Sequence, residues 1–245
     1  MDINPLDEKR HSTVIGSVVS LLRYPVKSMG AQELDEVQLT WHGFEGDRRW
    51  AFVRDGVERS GFPWLTIREK PDMWKYVPRF VRPDNPNSSP VTVATPEGRD
   101  FDLLDPALAA ELGHGARIIK QDRGVFDTFP LSLITTQTIT MLGSSMGREL
   151  RALRFRPNLL IKAAGAAHFP EDAWVGAVLK VGDAAFRVDK RDQRCAVVNI
   201  DPETTRSDPS ILKAISRERG SCLGVYGSTV KPGRITVGDQ VFLHT

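Results

Sequence analysis

A chain of 245 residues, 40% hydrophobic and 26% charged, has enough apolar material for a sizeable core, arranged as one large domain or two small ones. Its 33 basic and 31 acidic residues leave a formal charge of +2, which excludes a strongly basic nucleic-acid surface, and no Lys/Arg run resembles a nucleic-acid arm. Two cysteines, Cys195 and Cys222, exclude a disulfide framework and an all-cysteine iron–sulfur cluster, and a reducing cytoplasm suits them best.

The opening stretch MDINPLDEKRHST mixes charges without an apolar core, so residues 1–13 read as a flexible tail rather than a secretory signal or membrane anchor. Val14 to Tyr24 is apolar and β-branched and predicts a strand, and Glu33 to Trp41 alternates as a half-buried strand does. Between them YPVKSMG is a turn stiffened by Pro25, from which Lys27 and Ser28 project. A third strand covers Arg49 to Arg54, directly after Gly46-Asp47-Arg48. Gly61 to Arg82, with Trp64, Trp74 and several prolines, reads as irregular with short extended pieces, and Pro83 to Pro90 as a surface loop. VTVAT and RDFDLL then form a hairpin around Pro96-Glu97-Gly98.

Beyond Gly124 the pattern changes. Ile139, Leu142, Met146 and Leu150 give one apolar face to a short helix over Thr138 to Leu150. Leu159 to Ala164 is an apolar strand, and Glu171, Asp172 and Trp174 occupy a turn-rich loop. LKVGDAAFRV and ITVGDQVFLH each meet Gly-Asp after a strand, and both read as two-residue hairpins. A second helix runs from Pro209 to Arg219, with Asp208 as its N-cap. Many short strands with few helices predict a mostly β, barrel-like α+β fold.

The chemistry centres on DKRDQRCAVVNID, Asp189 to Asp201, where Cys195 lies between charged residues and an apolar run. A thiolate is a soft metal ligand, and an adjoining cation such as Arg194 favours that form, although a lone cysteine is more often a small core residue. Lys27 on its stiffened loop suits an anion but is more often solvated; Arg48 beside Asp47 reads as a weak local ion pair. Arg156, flanked by Phe155 and Pro157, looks held against an acceptor, and Asn158 would point to the same side of an extended chain. The five histidines show no HxH or HExxH spacing, and no GxGxxG, GxxxxGK[ST] or GxSxG occurs.

YPVKSMG, GDRRW, FDTFPLSLIT, FRPNLLI, EDAW, Arg194-Cys195, LGVY and GRITVGDQVFL follow one another as in MOSC-domain proteins. From about Val14 the chain resembles those carrying an N-terminal β-barrel-type domain before the MOSC domain, as in the mitochondrial amidoxime-reducing component and its bacterial relatives. That resemblance implies a β-rich domain over residues 14–126, a MOSC domain over 127–245, and a pyranopterin molybdenum cofactor between them. It further implies that Cys195 is the catalytic thiolate on molybdenum. Lys27, Ser28, Arg48, Thr128, Arg156, Asn158, Asp192, Gln193 and Tyr226 would then surround the pterin and its phosphate.

The implied activity is removal of oxygen from amidoxime, hydroxylamine or N-oxide substrates. Electrons would come from a separate ferredoxin, flavodoxin or cytochrome b5 type protein, because no ferredoxin-like extension is expected here, and the chain would act as a monomer in the cytoplasm. This sequence departs from the family at Asp192-Gln193-Arg194-Cys195, where C-x-R-C is common, and at Thr128-Phe129, where Thr-Ser is. One alternative is a sulfur or molybdenum-cofactor carrier with a persulfide on Cys195, supplied by a partner because no pyridoxal-phosphate module fits this length. Another is a binding module without cofactor.

Overall fold

The computed structural model describes residues 12–57 and 59–244, so the predicted tail lies almost wholly outside the described residues. The first half of the chain runs β1 (Ser12–Arg23), β2 (Gln32–Leu34), β3 (Glu36–Thr40), β4 (Gly43–Phe44), β5 (Trp50–Val53), β6 (Val77–Phe80), β7 (Val91–Ala94), β8 (Asp100–Asp102), α1 (Pro106–Leu112) and β9 (Arg117–Lys120). The second half runs β10 (Leu131–Thr135), α2 (Thr136–Ser145), β11 (Leu159–Ala163), β12 (Val178–Val181), β13 (Ala184–Gln193), α3 (Ser210–Arg219), β14 (Cys222–Lys231), β15 (Gly233–Thr236) and β16 (Gln240–His244). Mostly β with a few helices is the fold found.

The largest sheet has the order β11-β10-β14-β13-β12-β16-β1-β2, and β11 also pairs with β1, so seven strands close into a barrel from which β2 projects. Its pairs are antiparallel except β10 with β11. Long and apolar, β1 serves two neighbours because its register shifts between Val14 and Gly16 and again between Val18 and Ser20. Gly16 is required there, since a Cβ would stand 2.5 Å from the Lys162 carbonyl oxygen. Leu21, Leu159, Leu179, Val188 and Val241 fill the interior, each stabilising the fold by roughly 1.5–3 kcal/mol through burial.

Three small sheets, β15-β3-β4, β5-β9 and β6-β7-β8, complete the β structure among the described residues. Tyr24, Phe52, Leu65, Met73 and Leu108 form a second core with Ile200 of the second half. A third core joins α2 and α3 through Ile139, Phe155, Ile211 and Leu223.

Five expectations change. The single strand expected over Glu33 to Trp41 breaks at Asp35 into β2, paired with β1, and β3, paired with β15 and β4. ITVGDQVFLH is no hairpin: β15 pairs with β3, while β16 lies between β12 and β1. Its Gly238-Asp239 turn is instead clamped to β1, with Gly238 N donating to Val18 O at 2.9 Å and Val18 N to Asp239 O at 2.9 Å. LKVGDAAFRV does close as a hairpin, Val181 opposite Ala184. The helix expected to reach Leu150 stops at Ser145, because Gly147 turns left-handed (φ 67°), with Arg148 N donating to Gly143 O at 3.0 Å and Gly147 N to Ser144 O at 3.1 Å. The helix capped by Asp208 begins at Ser210 rather than Pro209, although Asp208 Oδ1 does accept from Ser210 N at 3.0 Å. Helix α1 was unexpected, yet Asp105 and Pro106 open it as a capping residue and first-turn proline commonly do, Ala107 N donating to Asp105 Oδ1 at 2.8 Å.

Candidate functional site

A cleft of about 790 Å³, open mouth included, is lined from one side by the turn after β1 and the segment at Thr66 to Arg68, and from the other by the ends of barrel strands. All ten residues singled out in the sequence line it.

The turn after β1 buries Lys27 and Ser28. Lys27 Nζ donates to Val125 O at 3.1 Å and forms an ion pair with Asp127. Burial lowers the ammonium's pKa while Asp127 opposes the shift. Burial would raise Asp127, but Lys27, helped by Arg68 and Arg48, holds it below the usual carboxylate value.

Asp47 organises the next layer. Fully buried, it accepts from Tyr24 N at 2.7 Å and Asn158 Nδ2 at 3.1 Å and pairs with Arg48. The pair read as local and weak is therefore a buried one, whose loss would strand a charge. Burial works against the Arg48 charge, but Asp47 first and Tyr24 second more than offset it and raise its pKa. Arg48 also donates to Asn158 Oδ1 at 3.3 Å and Arg156 O at 3.2 Å. Asn158 completes its bonding by donating to Leu22 O at 3.1 Å and accepting from Ser132 N at 3.2 Å, so its amide ties β1 to β10.

Arg156 departs from its expected setting. Its backbone is left-handed (φ 51°), so the chain is not extended toward Asn158, and Arg48 brings the two residues together instead. Its guanidinium lies over Tyr24 at 4.2 Å and Trp74 at 4.4 Å, and the acceptor expected for it is the Met29 carbonyl. Nη1 donates to Met29 O at 2.9 Å. Burial pushes its pKa down to about 10 and that of Tyr24 up to about 12. Ser28, Arg48 and Arg156 are three of the six non-glycine residues with positive φ among the described residues, each costing on the order of 1 kcal/mol.

On the opposite wall β13 delivers Asp192 and Gln193 and then releases the chain into a 3-10 turn, Ala196–Asn199, headed by the exposed Cys195. Asp192 is buried, accepting from Ser132 Oγ at 3.2 Å and pairing with Arg194 Nη1 at 3.0 Å. Burial raises its pKa despite the opposing Arg194 charge, and Tyr226 is raised by burial and then by Asp192. Arg194 also donates to Leu223 O at 2.7 Å and Phe155 O at 2.8 Å. Gly224 (φ 75°) leaves room for this, since a Cβ would meet Leu133 O at 2.7 Å and Arg194 Nη2 at 3.1 Å. Thr128 and Gln193 are exposed at the cleft, and Phe129 stacks on Tyr226 with ring centroids 6.1 Å apart.

Six cationic and two carboxylate side chains line the cleft. Arg154 Nε, Arg156 Nη2, Arg194 Nη2 and Asp192 Oδ1, all from its lining residues, are buried without a hydrogen-bond partner among the described residues. Such atoms carry a desolvation cost that a polar ligand relieves. Tyr24, Asp47, Trp74 and Arg154 also build this site, although the sequence does not mark them as its parts. Only Asp47 carried a signal, its place beside Arg48; the stacking on Arg156 joins residues remote in sequence.

The MOSC domain model matches residues 120–242, and the MOSC N-terminal beta barrel domain model matches residues 15–115. The chain is 25% identical over 255 residues to a molybdenum cofactor sulfurase of Caenorhabditis elegans, covering 92% of this chain and 35% of that protein. It is 29% identical over 130 residues to mitochondrial amidoxime-reducing component 1 of Homo sapiens, covering 48% of this chain and 37% of that protein. The chain thus spans little more than a third of the length of these curated relatives. The YUAD protein of Bacillus subtilis shares the fold, with a TM-score of 0.52 at 12% identity over 96% of this chain and 98% of that one. With one family model covering half the chain and its companion most of the remainder, the protein belongs to the MOSC domain family.

Proposed function

We propose that this cleft holds a pyranopterin molybdenum cofactor with the Cys195 thiolate on the metal, and that the chain reduces N-hydroxylated substrates of the amidoxime, hydroxylamine or N-oxide type. The carrying observation is an exposed thiol in a cation-rich cleft whose lining has buried polar atoms without partners. Those residues fit the group: Arg156 Nη2 and Arg194 Nη2 are donors suited to phosphate and pterin acceptors, and a soft metal suits a thiolate. Lys27, Ser28, Arg48 and Arg156 would hold the phosphate and pterin, with Thr128, Asn158, Asp192, Gln193 and Tyr226 around them. When bound, the cofactor supplies two-electron redox chemistry at molybdenum.

The chain's own task is orientation. Tyr24 and Trp74 fix the plane of Arg156, Asp127 pairs with Lys27, and Asn158 sets the distance between β1 and β10. Electrons would come from a separate carrier of ferredoxin, flavodoxin or cytochrome b5 type, with a monomer acting in the cytoplasm. Among the described residues no helix is long and apolar enough to cross a membrane. Protein made in a cofactor-competent host should bind about one molybdenum per chain and reduce an amidoxime with an artificial donor. Cys195→Ala should abolish turnover, and undiminished turnover would refute the assignment.

A second reading is favoured by the breadth of the sulfurase alignment, 92% of this chain against 48% for the amidoxime-reducing component. In that reading Cys195 carries a persulfide received from a partner, or the cleft carries cofactor without turnover. A Cys195 peptide heavier by one sulfur atom, in protein lacking molybdenum, would select it.

A further inference from the structure

We propose that Arg154 is a positioning residue for the Cys195 thiol: it fastens the turn that follows the cysteine to the turn that precedes Arg156, so ligand and anion-binding guanidinium keep one fixed spacing. The inference rests on the metal-ligand reading of Cys195 for its functional meaning, but its geometry stands apart from that reading. Cys195 heads the turn Ala196–Asn199 without a side-chain capping bond, so its position is set by what grips the chain on either side.

On the N-terminal side the grip is Arg194, whose backbone N donates to Ser221 O at 2.8 Å and whose side chain reaches back to Phe155 O at 2.8 Å. On the C-terminal side it is Arg154. Its Nη1 donates to both Val198 O and Asn199 O at 3.2 Å, and its Nη2 pairs with Asp201 Oδ2 at 2.7 Å. Asp201 is itself fixed, accepting from Glu203 N at 3.1 Å and Thr204 N at 2.9 Å.

Two arginines thus cross between the same two turns in opposite directions, with Cys195 between their attachment points. Arg154 lies within Ala152–Phe155, the turn capped by Arg156, whose N donates to Leu153 O at 3.0 Å. Phe155 and Val198 pack in one apolar cluster beneath this crossing. The Arg154 side chain is only 9% exposed, so water cannot easily replace these bonds. A planar fork spans two carbonyls and a carboxylate at once, which a lysine ammonium on a flexible stem does not do as well. A metal ligand, in turn, must be held to about 0.5 Å.

The test compares wild type with Arg154→Met and Arg154→Lys, as full chains, made without molybdenum and again loaded with cofactor. In the unloaded proteins, hydrogen exchange is read at the Val198 and Ile200 amides, which donate within the turn to Cys195 O at 3.2 Å and Val197 O at 3.1 Å. Arg154→Met should speed both by roughly tenfold or more while β14 keeps its wild-type protection, and Arg154→Lys should fall between. In loaded protein, Arg154→Met should retain pterin but lose or shift the absorption from thiolate on metal.

Unchanged exchange in the turn would overturn the proposal. So would equal loosening of turn and barrel, the mark of a merely structural residue, or an unaltered thiolate absorption over a loosened turn. Should Arg154→Met fail to fold, Asp201→Asn, which weakens one of the three attachments, must show the same local pattern in smaller measure or the proposal is wrong. Wild-type protein that binds no molybdenum would sink the cofactor reading, and exchange in the unloaded chain would still decide whether Arg154 holds the turn.

Discussion

Inside the barrel Leu21, Leu159, Val188 and Val241 are shut from water by neighbouring strands, and their backbone polar groups are paired by the sheet itself. A few residues away the cleft collects charge, left-handed backbone and buried atoms without partners. The two regions share strands: β13 gives Val188 to the barrel core and Asp192 to the cleft. The contrast teaches that apolar closure on one side supplies the stability that strain on the other consumes, with Asp47 and Asn158 at the seam.

The sharpest challenge to this division is to weaken each side separately. Phe186→Ala, in the barrel core at 1% exposure, should cost about 3–5 kcal/mol in urea unfolding. Asp47→Ala should match it to within about 1 kcal/mol, because Arg48 and the Tyr24 amide lose their buried partner. A loss below about 1 kcal/mol there would mean that the cleft is not tied into the fold as described. Glu171, fully buried beneath the start of α2, accepts from Thr135 Oγ1 at 2.8 Å and Thr138 Oγ1 at 2.7 Å. Glu171→Gln should cost about 1–3 kcal/mol by leaving a donor and acceptor mismatched.

At the periphery the effects shrink. Asp208 is held down to about 2 by its hydrogen bonds to Ser210 and Arg148, so the native state favours its ionised form. Its contribution is present above the ordinary aspartate pKa and lost as pH falls through about 2. Asp208→Asn keeps an acceptor for Ser210 N but removes the charge facing Arg148, so with solvent screening it should lower stability by no more than about 0.2–1 kcal/mol near neutrality, a difference that vanishes in strong acid. Smallest of all, Cys195→Ser should change the unloaded protein's stability by less than about 0.5 kcal/mol, since the thiol is exposed. A large loss would make this cysteine part of the packing rather than of the site.

Local chemistry made much of the fold legible. β1, the VTVAT hairpin and α3 follow from β-branched runs, turn residues and a capping aspartate, and their boundaries differ from expectation by a residue or two. ITVGDQVFLH misled because Gly-Asp specifies a reversal but not a partner: β16 is drawn between β12 and β1, and β15 to β3. At the cleft, Cys195, Lys27, Arg48, Arg156 and Asn158 stand out from their own neighbours, but gathering them into one site, and adding Thr128, Asp192, Gln193 and Tyr226, takes the family resemblance. What neither could supply was long-range stacking, the placing of Tyr24 and Trp74 on Arg156, which exists only once three distant segments meet.

The barrel's seventh stave comes from the opposite end of the polypeptide: β1 sits between β16 and β11, more than a hundred residues away in sequence. A fragment beginning at residue 120, where the MOSC match starts, would leave those two strands as facing raw edges, open to pairing between molecules. Such a fragment should self-associate when produced alone, and a synthetic peptide spanning Ser12–Arg23, added in trans, should restore it to single molecules by completing the ring.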